Sequence, residues 1–318
     1  MKIRSLAILI TFIQVLASCA YAQAEAPIIK VMTYNIHRGG IVHLKQPLSK
    51  TAEAIKLAKA DIVGIQEPRS PKGFTTKKLV ELLGWNHSAN IRKGIILTPY
   101  EIIENLDGGV KIKLPTGQEV YAFSLHLPSH PYQPYQLLGI RPSWHKHTND
   151  IEFIKTEAEA IQWAKKARGE LISDLLKQTS ELPDKEAPVF VVGDFNEPSH
   201  LDWTEAAAKA GRHPIKVAYP TSSAMINAGF KDSYRVIYPD EMKNPGFTWS
   251  PAYKYDDPKT HHDRIDFVYF KGKSLKVTNV KIVGENKEKA DIVISPYPSD
   301  HRAVVASFEL QNSAKDKK

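Results

Sequence analysis

Cysteine is almost absent: Cys19 is the only one in 318 residues. No intrachain disulfide can form, and no thiolate cage for a structural zinc is available. No apolar run beyond residue 22 is long enough to span a bilayer, so the remainder is expected to be soluble. No internal repeat and no Gly/Ser-rich linker divides the chain, which argues for one domain over about residues 26–310. No long Lys/Arg cluster marks a nucleic-acid groove, and a net charge of +8 implies an affinity for anions at most. What is present, 42% hydrophobic and 25% charged residues, is the balance of a globular chain large enough to need no staple.

The first 22 residues read as an export signal. Met1-Lys2-Ile3-Arg4 is basic, and residues 5–17 (SLAILITFIQVLA) form an apolar run too short for a stable span. Two processing routes are open. Ala20-Tyr21-Ala22 offers an A-x-A cleavage site before Gln23; Leu16-Ala17-Ser18-Cys19 resembles a bacterial lipobox, with Cys19 lipidated. Periplasmic or extracellular location is expected, with membrane attachment only through Cys19. Residues 311–318 form a polar, basic tail.

Short β-branched runs predict strands at Ile28–Tyr34, Asp61–Gln66, Gly94–Leu97, Glu101–Glu104, Val110–Lys113, Glu119–Leu125, Pro188–Val192, Arg264–Phe270, Leu275–Val283 and Arg302–Leu310. Helical spacing appears over Leu48–Lys59, with Ser49 as N-cap, and over Thr76–Leu83, closed by Gly84. A long helix is expected over Asn149–Gln178, interrupted at Gly169, with short ones at Thr204–Ala210 and Ser222–Ala228. Residues 127–148, with four prolines, two tyrosines and a tryptophan, read as a long, ordered, irregular loop. Strands in both βαβ and hairpin succession imply a mixed α/β fold with helices outside the sheets.

Chemistry-bearing residues recur at strand ends: Asn35, Glu67, His126, Asp194 with Asn196, Asp266, and the pair Asp300-His301. Residues just beyond sheet strands converge on one crevice in layered α/β folds. So many carboxylates there need neutralising, and oxygen donors without cysteine suit Mg²⁺ or Mn²⁺.

Six motifs, Thr33-Tyr34-Asn35-Ile36, Ile65-Gln66-Glu67, Leu125-His126-Leu127, Val192-Gly193-Asp194-Phe195-Asn196-Glu197-Pro198, Arg264-Ile265-Asp266-Phe267 and Ser299-Asp300-His301, resemble in kind and order those of the endonuclease/exonuclease/phosphatase superfamily. The resemblance implies a four-layer α/β/β/α sandwich with two mixed sheets face to face and the site at one end. It implies a metal-dependent hydrolase of phosphate esters, phosphodiesters foremost, using Mg²⁺ or Mn²⁺. Glu67 would be the principal metal ligand, with Asn35 and Asp300 close by. His301 would serve as general base or as charged phosphate partner, oriented by Asp266. Asp194 and Asn196 would place the attacking water and a phosphate oxygen, and His126 would contact the phosphate or the leaving group. Asp263 competes with Asp266, which the following apolar run favours.

The match loosens in three places. Gly94-Ile95-Ile96-Leu97-Thr98-Pro99 lacks the basic residue usual after this family strand, leaving Arg92 as a stand-in. The loop 127–148 should overhang the site, where Arg141 and Trp144 could meet an anionic substrate and His130, His145 and His147 a transition metal; His261-His262 beside Asp263 raises the same question. Trp249, in Gly246-Phe247-Thr248-Trp249, is a candidate pocket wall. The Trp-Cys-Asp-Arg signature of inositol-polyphosphate enzymes is absent. The expected partner is a phosphate-ester substrate, nucleic acid included, and the protein is expected to be a monomer. A secreted nuclease is the rival reading; an inactive binding protein and a Glu67/Asp194 glycosidase are rivals of other classes.

Overall fold

The strand Ile28–Asn35 shows how the chain sorts its side chains. Val31 faces one layer and Met32 and Tyr34 the other, the two-residue alternation of a pleated strand. The computed structural model describes residues 26–40, 44–70, 73–89, 95–141 and 151–311. Within them Ile28–Asn35 lies near the middle of a seven-stranded sheet, whose spatial order is Ile292–Val293, Leu275–Gly284, Ala303–Leu310, Ile28–Asn35, Ile62–Gln66, Ile95–Thr98 and Asn86–His87. The second sheet has six strands, in the order Lys231–Asp232, Asp266–Lys271, Val189–Asp194, Glu119–His126, Gly109–Lys113 and Glu101–Leu106. Both are mixed. Ile28–Asn35 runs parallel to Ile62–Gln66, and Val189–Asp194 parallel to Glu119–His126, while most other pairs are antiparallel.

The sheets pack face to face, with Val31, Ile62, Val304 and Phe308 of one against Val110, Ala122, Phe190 and Val268 of the other. Phe308 meets both Phe190 and Phe270 at ring-centroid distances of 5.0 Å. Gly64 permits the close approach: a Cβ there would lie 2.2 Å from the Val192 side chain. Beyond it the amide of Gln66 donates to the Ser124 hydroxyl at 3.0 Å, tying the sheets near the site. Helices Leu48–Ala58 and Thr76–Leu83 cover the outer face of the first sheet through Ala52, Ile55 and Leu79. Helices Glu157–Ser180 and Pro220–Asn227 cover the second through Ile172, Leu175 and Met225. The expected α/β/β/α sandwich is therefore present. Among the described residues no helix is long and apolar enough to cross a membrane.

Local differences have local causes. The long helix starts at Glu157, not Asn149, because Thr156 and Glu159 form a reciprocal capping box, and Ser180 ends it with no break at Gly169. Ahead of the cap, Ile151 and Ile154 are buried as irregular chain, and the Ile154 amide donates to Gln136 O at 3.2 Å. Pro47 occupies the N-cap of Leu48–Ala58, so Ser49 falls inside that helix and caps nothing. The supposed loop 127–148 contains the helix Gln133–Leu138, closed by Gly139 in the left-handed conformation. Buried Arg168 reaches out of the long helix to hold this segment, donating to Pro128 O, Pro131 O and the Gln133 amide oxygen at 2.8–3.0 Å.

Candidate active site

Strand register brings the site together. Asp194 ends Val189–Asp194, pairing with His126 on its parallel neighbour and with Asp266 at the start of its antiparallel neighbour. In the other sheet Asn35 pairs with Gln66, so Glu67 projects just beyond it. The Ser299 hydroxyl donates to Asn35 O at 2.6 Å, drawing Asp300-His301 to the same end. Gly40, at φ +70°, lies against this segment so closely that a Cβ would sit 2.6 Å from Pro298 O.

Four residues lining the resulting cleft of about 660 Å³ have positive φ without being glycine: His37 (44°), Arg38 (55°), Glu67 (53°) and Asn196 (47°). Such geometry costs roughly 1–3 kcal/mol per residue and persists where surrounding structure imposes it. Here it turns side chains at strand ends into the cleft.

The Asn35 amide nitrogen lies between two carboxylates, 3.2 Å from Glu67 Oε1 and 2.9 Å from Asp194 Oδ2. Its oxygen accepts from the backbone of His37 at 3.0 Å. Asn35 thus presents donors to the acids and orients them; its oxygen, the atom a metal ligand would need, is turned away. Asp194 is buried, accepts from the Asn196 backbone at 2.8 Å and side chain at 3.2 Å, and has His126 Nε2 at 3.5 Å and His301 Nε2 at 3.7 Å. His126 also stands 3.9 Å from Glu67.

His301 Nδ1 meets Asp266 Oδ2 at 2.9 Å, leaving Nε2 on the Asp194 side. Asp266 is further fixed by Thr248, whose hydroxyl accepts from its backbone amide at 3.2 Å. Asp263 faces elsewhere, accepting from Trp203 and Tyr132. Burial and the neighbouring Asp194 charge push the Asp266 carboxyl up to about 6, against the pull of His301. Burial opposes charge on His301, yet Asp266 and Asp194 outweigh it and hold the imidazole well above its usual range. Asp300 Oδ1 meets His37 Nδ1 at 2.6 Å; burial opposes its charge, but His37 and His301 hold its carboxyl below the usual range.

The other anticipated contacts divide. Trp249 lines the cleft, its ring 4.9 Å from that of His301. Arg141 does not; its guanidinium lies 4.6 Å over Phe153, where an apolar face attracts it. His130 is exposed. Cys19, Arg92, Trp144, His145 and His147 lie outside the described residues. Residues not anticipated also line the cleft: His37, Arg38, Tyr132 and Tyr253. The signal for two of them was available, since His37-Arg38 places two basic side chains directly after the strand-end Asn35.

These side chains fit a hard divalent cation. Glu67 keeps 29% of its side-chain surface exposed, and Asp194, Asp266 and Asp300 stand close by, paired among the described residues with histidines. The ligating atoms of Asp194, Asp266 and His301 also lie within 4.8 Å of one another.

A profile of the Endonuclease/Exonuclease/phosphatase family matches residues 32–301. The Caenorhabditis elegans protein named Uncharacterized protein F14F9.5 is 30% identical over 318 positions, covering 92% of this chain and 95% of that one. Among solved structures, an endonuclease/exonuclease/phosphatase from Beutenbergia cavernae superposes with a TM-score of 0.53 at 15% identity, covering 90% of this chain and 72% of its own. D. rerio TDP2, solved in complex with a single-strand DNA product, gives 0.50 at 14% identity, over 90% of this chain and 99% of its own. Fold, motif order and profile agree: the chain belongs to the endonuclease/exonuclease/phosphatase family, whose members are hydrolases of phosphodiester bonds.

Proposed function

We propose that this protein is an exported phosphoesterase that uses Mg²⁺ or Mn²⁺ to hydrolyse phosphodiesters by in-line attack of water. The observation that carries the reading is the convergence of Asn35, Glu67, Asp194, Asn196 and the Asp266–His301 pair on one end of the sandwich. Glu67, with Asp300 nearby in the cleft wall, would hold the cation, which neutralises charge on the phosphoryl oxygens. Asn35 orients Glu67 and Asp194 by donating between them. Asp194 and Asn196 place the attacking water, and Asp194 can take its proton. His301 presents Nε2 to a non-bridging phosphate oxygen, with Asp266 fixing the ring through Nδ1. His126, between Asp194 and Glu67, serves the leaving group. The leader pattern of residues 1–22 supports export, by cleavage after Ala22 or lipidation of Cys19.

The test is hydrolysis of bis-p-nitrophenyl phosphate by purified protein. Turnover that needs Mg²⁺ or Mn²⁺ and stops with chelator is expected; no turnover with either ion sinks the reading.

A nuclease is the finer reading. Tyr132, Trp249 and Tyr253 put aromatic rings on the cleft, and Arg38 stands exposed at its edge. Stacking platforms beside a cation suit unpaired bases on a phosphate backbone, and the DNA product held by D. rerio TDP2 points the same way. Cleavage of a single-stranded oligonucleotide with preference over bis-p-nitrophenyl phosphate supports it; equal rates leave a general phosphodiesterase.

A further inference from the structure

Behind the wall of the cleft lies a second group of ligating side chains. His213 Nδ1 is 3.1 Å from His261 Nε2, which is 3.8 Å from Asp263 Oδ1, and the three atoms lie within 4.8 Å of one another. Tetrahedral ligation at the bond lengths of zinc sets neighbouring donors about 3.3 Å apart. We propose that His213, His261 and Asp263 form a binding site for a zinc-class divalent ion, separate from the Glu67 end and completed by water.

Charge is the second argument. Asp263 is 2% exposed, and its oxygens accept from two neutral donors, the Trp203 indole at 2.8 Å and the Tyr132 hydroxyl at 2.6 Å. Among the described residues no Lys or Arg reaches it. A buried carboxylate without a cation is costly. The facing ring nitrogens of His213 and His261, which share a hydrogen bond at 3.1 Å, can hold a metal in place of the shared proton. The surroundings hold the ligands in place. Trp203 stacks on His213 with ring centroids 4.1 Å apart, and the two donors on Asp263 fix its carboxylate, the outer support that metal ligands commonly have. Imidazole with one carboxylate favours Zn²⁺, Co²⁺ or Ni²⁺ over Mg²⁺.

The site has a direct line to the cleft. Asp263 holds the Tyr132 hydroxyl and exchanges two backbone hydrogen bonds, each 3.0 Å, with Trp249. Both residues line the cleft. An ion on Asp263 therefore stiffens two walls of the substrate space without touching the reacting phosphate.

The experiment uses full-length, tag-free protein equilibrated with Zn²⁺ against excess Mg²⁺ and analysed for bound metal. Wild type and Glu67→Gln should each hold one zinc per chain, and His261→Gln should bind it at least tenfold more weakly while keeping the wild-type Tm in chelator. Equal zinc on all three proteins, or none on any, overturns the site. Co²⁺ added to wild type gives a readout independent of the variant's folding: an intense tetrahedral-type visible band is expected, and a weak octahedral one counts against it. Because Glu67→Gln disables the other end, failure here is distinguishable from failure of the phosphoesterase reading.

Discussion

Arg264 and Asp266 stand two residues apart, yet they belong to charge clusters built on opposite rules. Around Arg264 every charge has a mate. Asp202 takes Arg264 at 2.8 Å and Arg235 at 2.6 Å, and Asp232 takes Arg264 at 2.8 Å. Burial resists charge on Asp202, but the two guanidiniums overcome it and hold the carboxyl below its usual value. Around Asp266 the neighbouring Asp194 adds a second buried acid to one imidazole, and the Asp266 carboxyl is pushed up to about 6. A buried cluster that neutralises itself is a fastening. One left short of positive charge is poised for a cation or an anionic phosphate.

The comparison predicts separate losses. His301→Ala should lower phosphodiester turnover about 10²–10⁴-fold, the range for a positioned proton-handling or phosphate-contacting group. Its thermal midpoint should fall less than that of Arg264→Leu, because Asp266, whose carboxyl is already pushed up to about 6, can take up a proton once the imidazole is gone. A variant that unfolds several degrees lower while retaining turnover would erase the distinction. Arg264→Leu should do the reverse. It strands Asp202 and Asp232 without their shared partner, for a cost of about 3–5 kcal/mol. Urea unfolding should show the midpoint collapse, whereas any protein that remains folded should keep its metal requirement.

This division was only half legible in the sequence. Asp266 could be chosen over Asp263 because an apolar strand follows it, and strand-end acids announce a crevice. The partners of Arg264 could not be read, since Asp202 and Asp232 meet it only after three separate turns of chain are packed together. Asn35 carried the right position and the wrong atom: which end of an amide faces the acids depends on the His37 backbone, which no residue pattern reports. The capping box at Thr156–Glu159 was readable, but apolar spacing upstream concealed it, because Ile151 and Ile154 are buried as irregular chain. His37 and Arg38 follow the strand-end Asn35 directly, and their positive φ accompanies their place in the cleft lining.

Acid separates the clusters more gently. The folded-state value of Asp202 lies below its ordinary 3.8, so the stability it brings is complete above about pH 3.8 and drains away as pH falls through the depressed value. Asp266 has the opposite sign. With a folded-state value raised from 3.8 to about 6, its contribution is present below 3.8 and is lost as pH rises through 6. Asp202→Asn should therefore unfold more readily than wild type at neutral pH, and the gap should narrow below pH 4. Denaturant midpoints across pH 3–7 measure it, and a gap that stays constant would mean that Asp202 is not held by its arginines.

The smallest effect belongs to Arg38, which carries the comparison to the surface. It is exposed at the cleft edge and, among the described residues, pairs with no carboxylate. A solvated cation contributes roughly 0.2–1 kcal/mol to an ionic contact, and salt screens it. Arg38→Gln should raise KM for an oligonucleotide by about two- to fivefold at low ionic strength, with kcat unchanged. The difference should shrink as salt approaches 0.5 M. Were kcat to fall instead, Arg38 would be acting on the reacting phosphate itself, and the cluster around Asp266 would extend to the rim of the cleft.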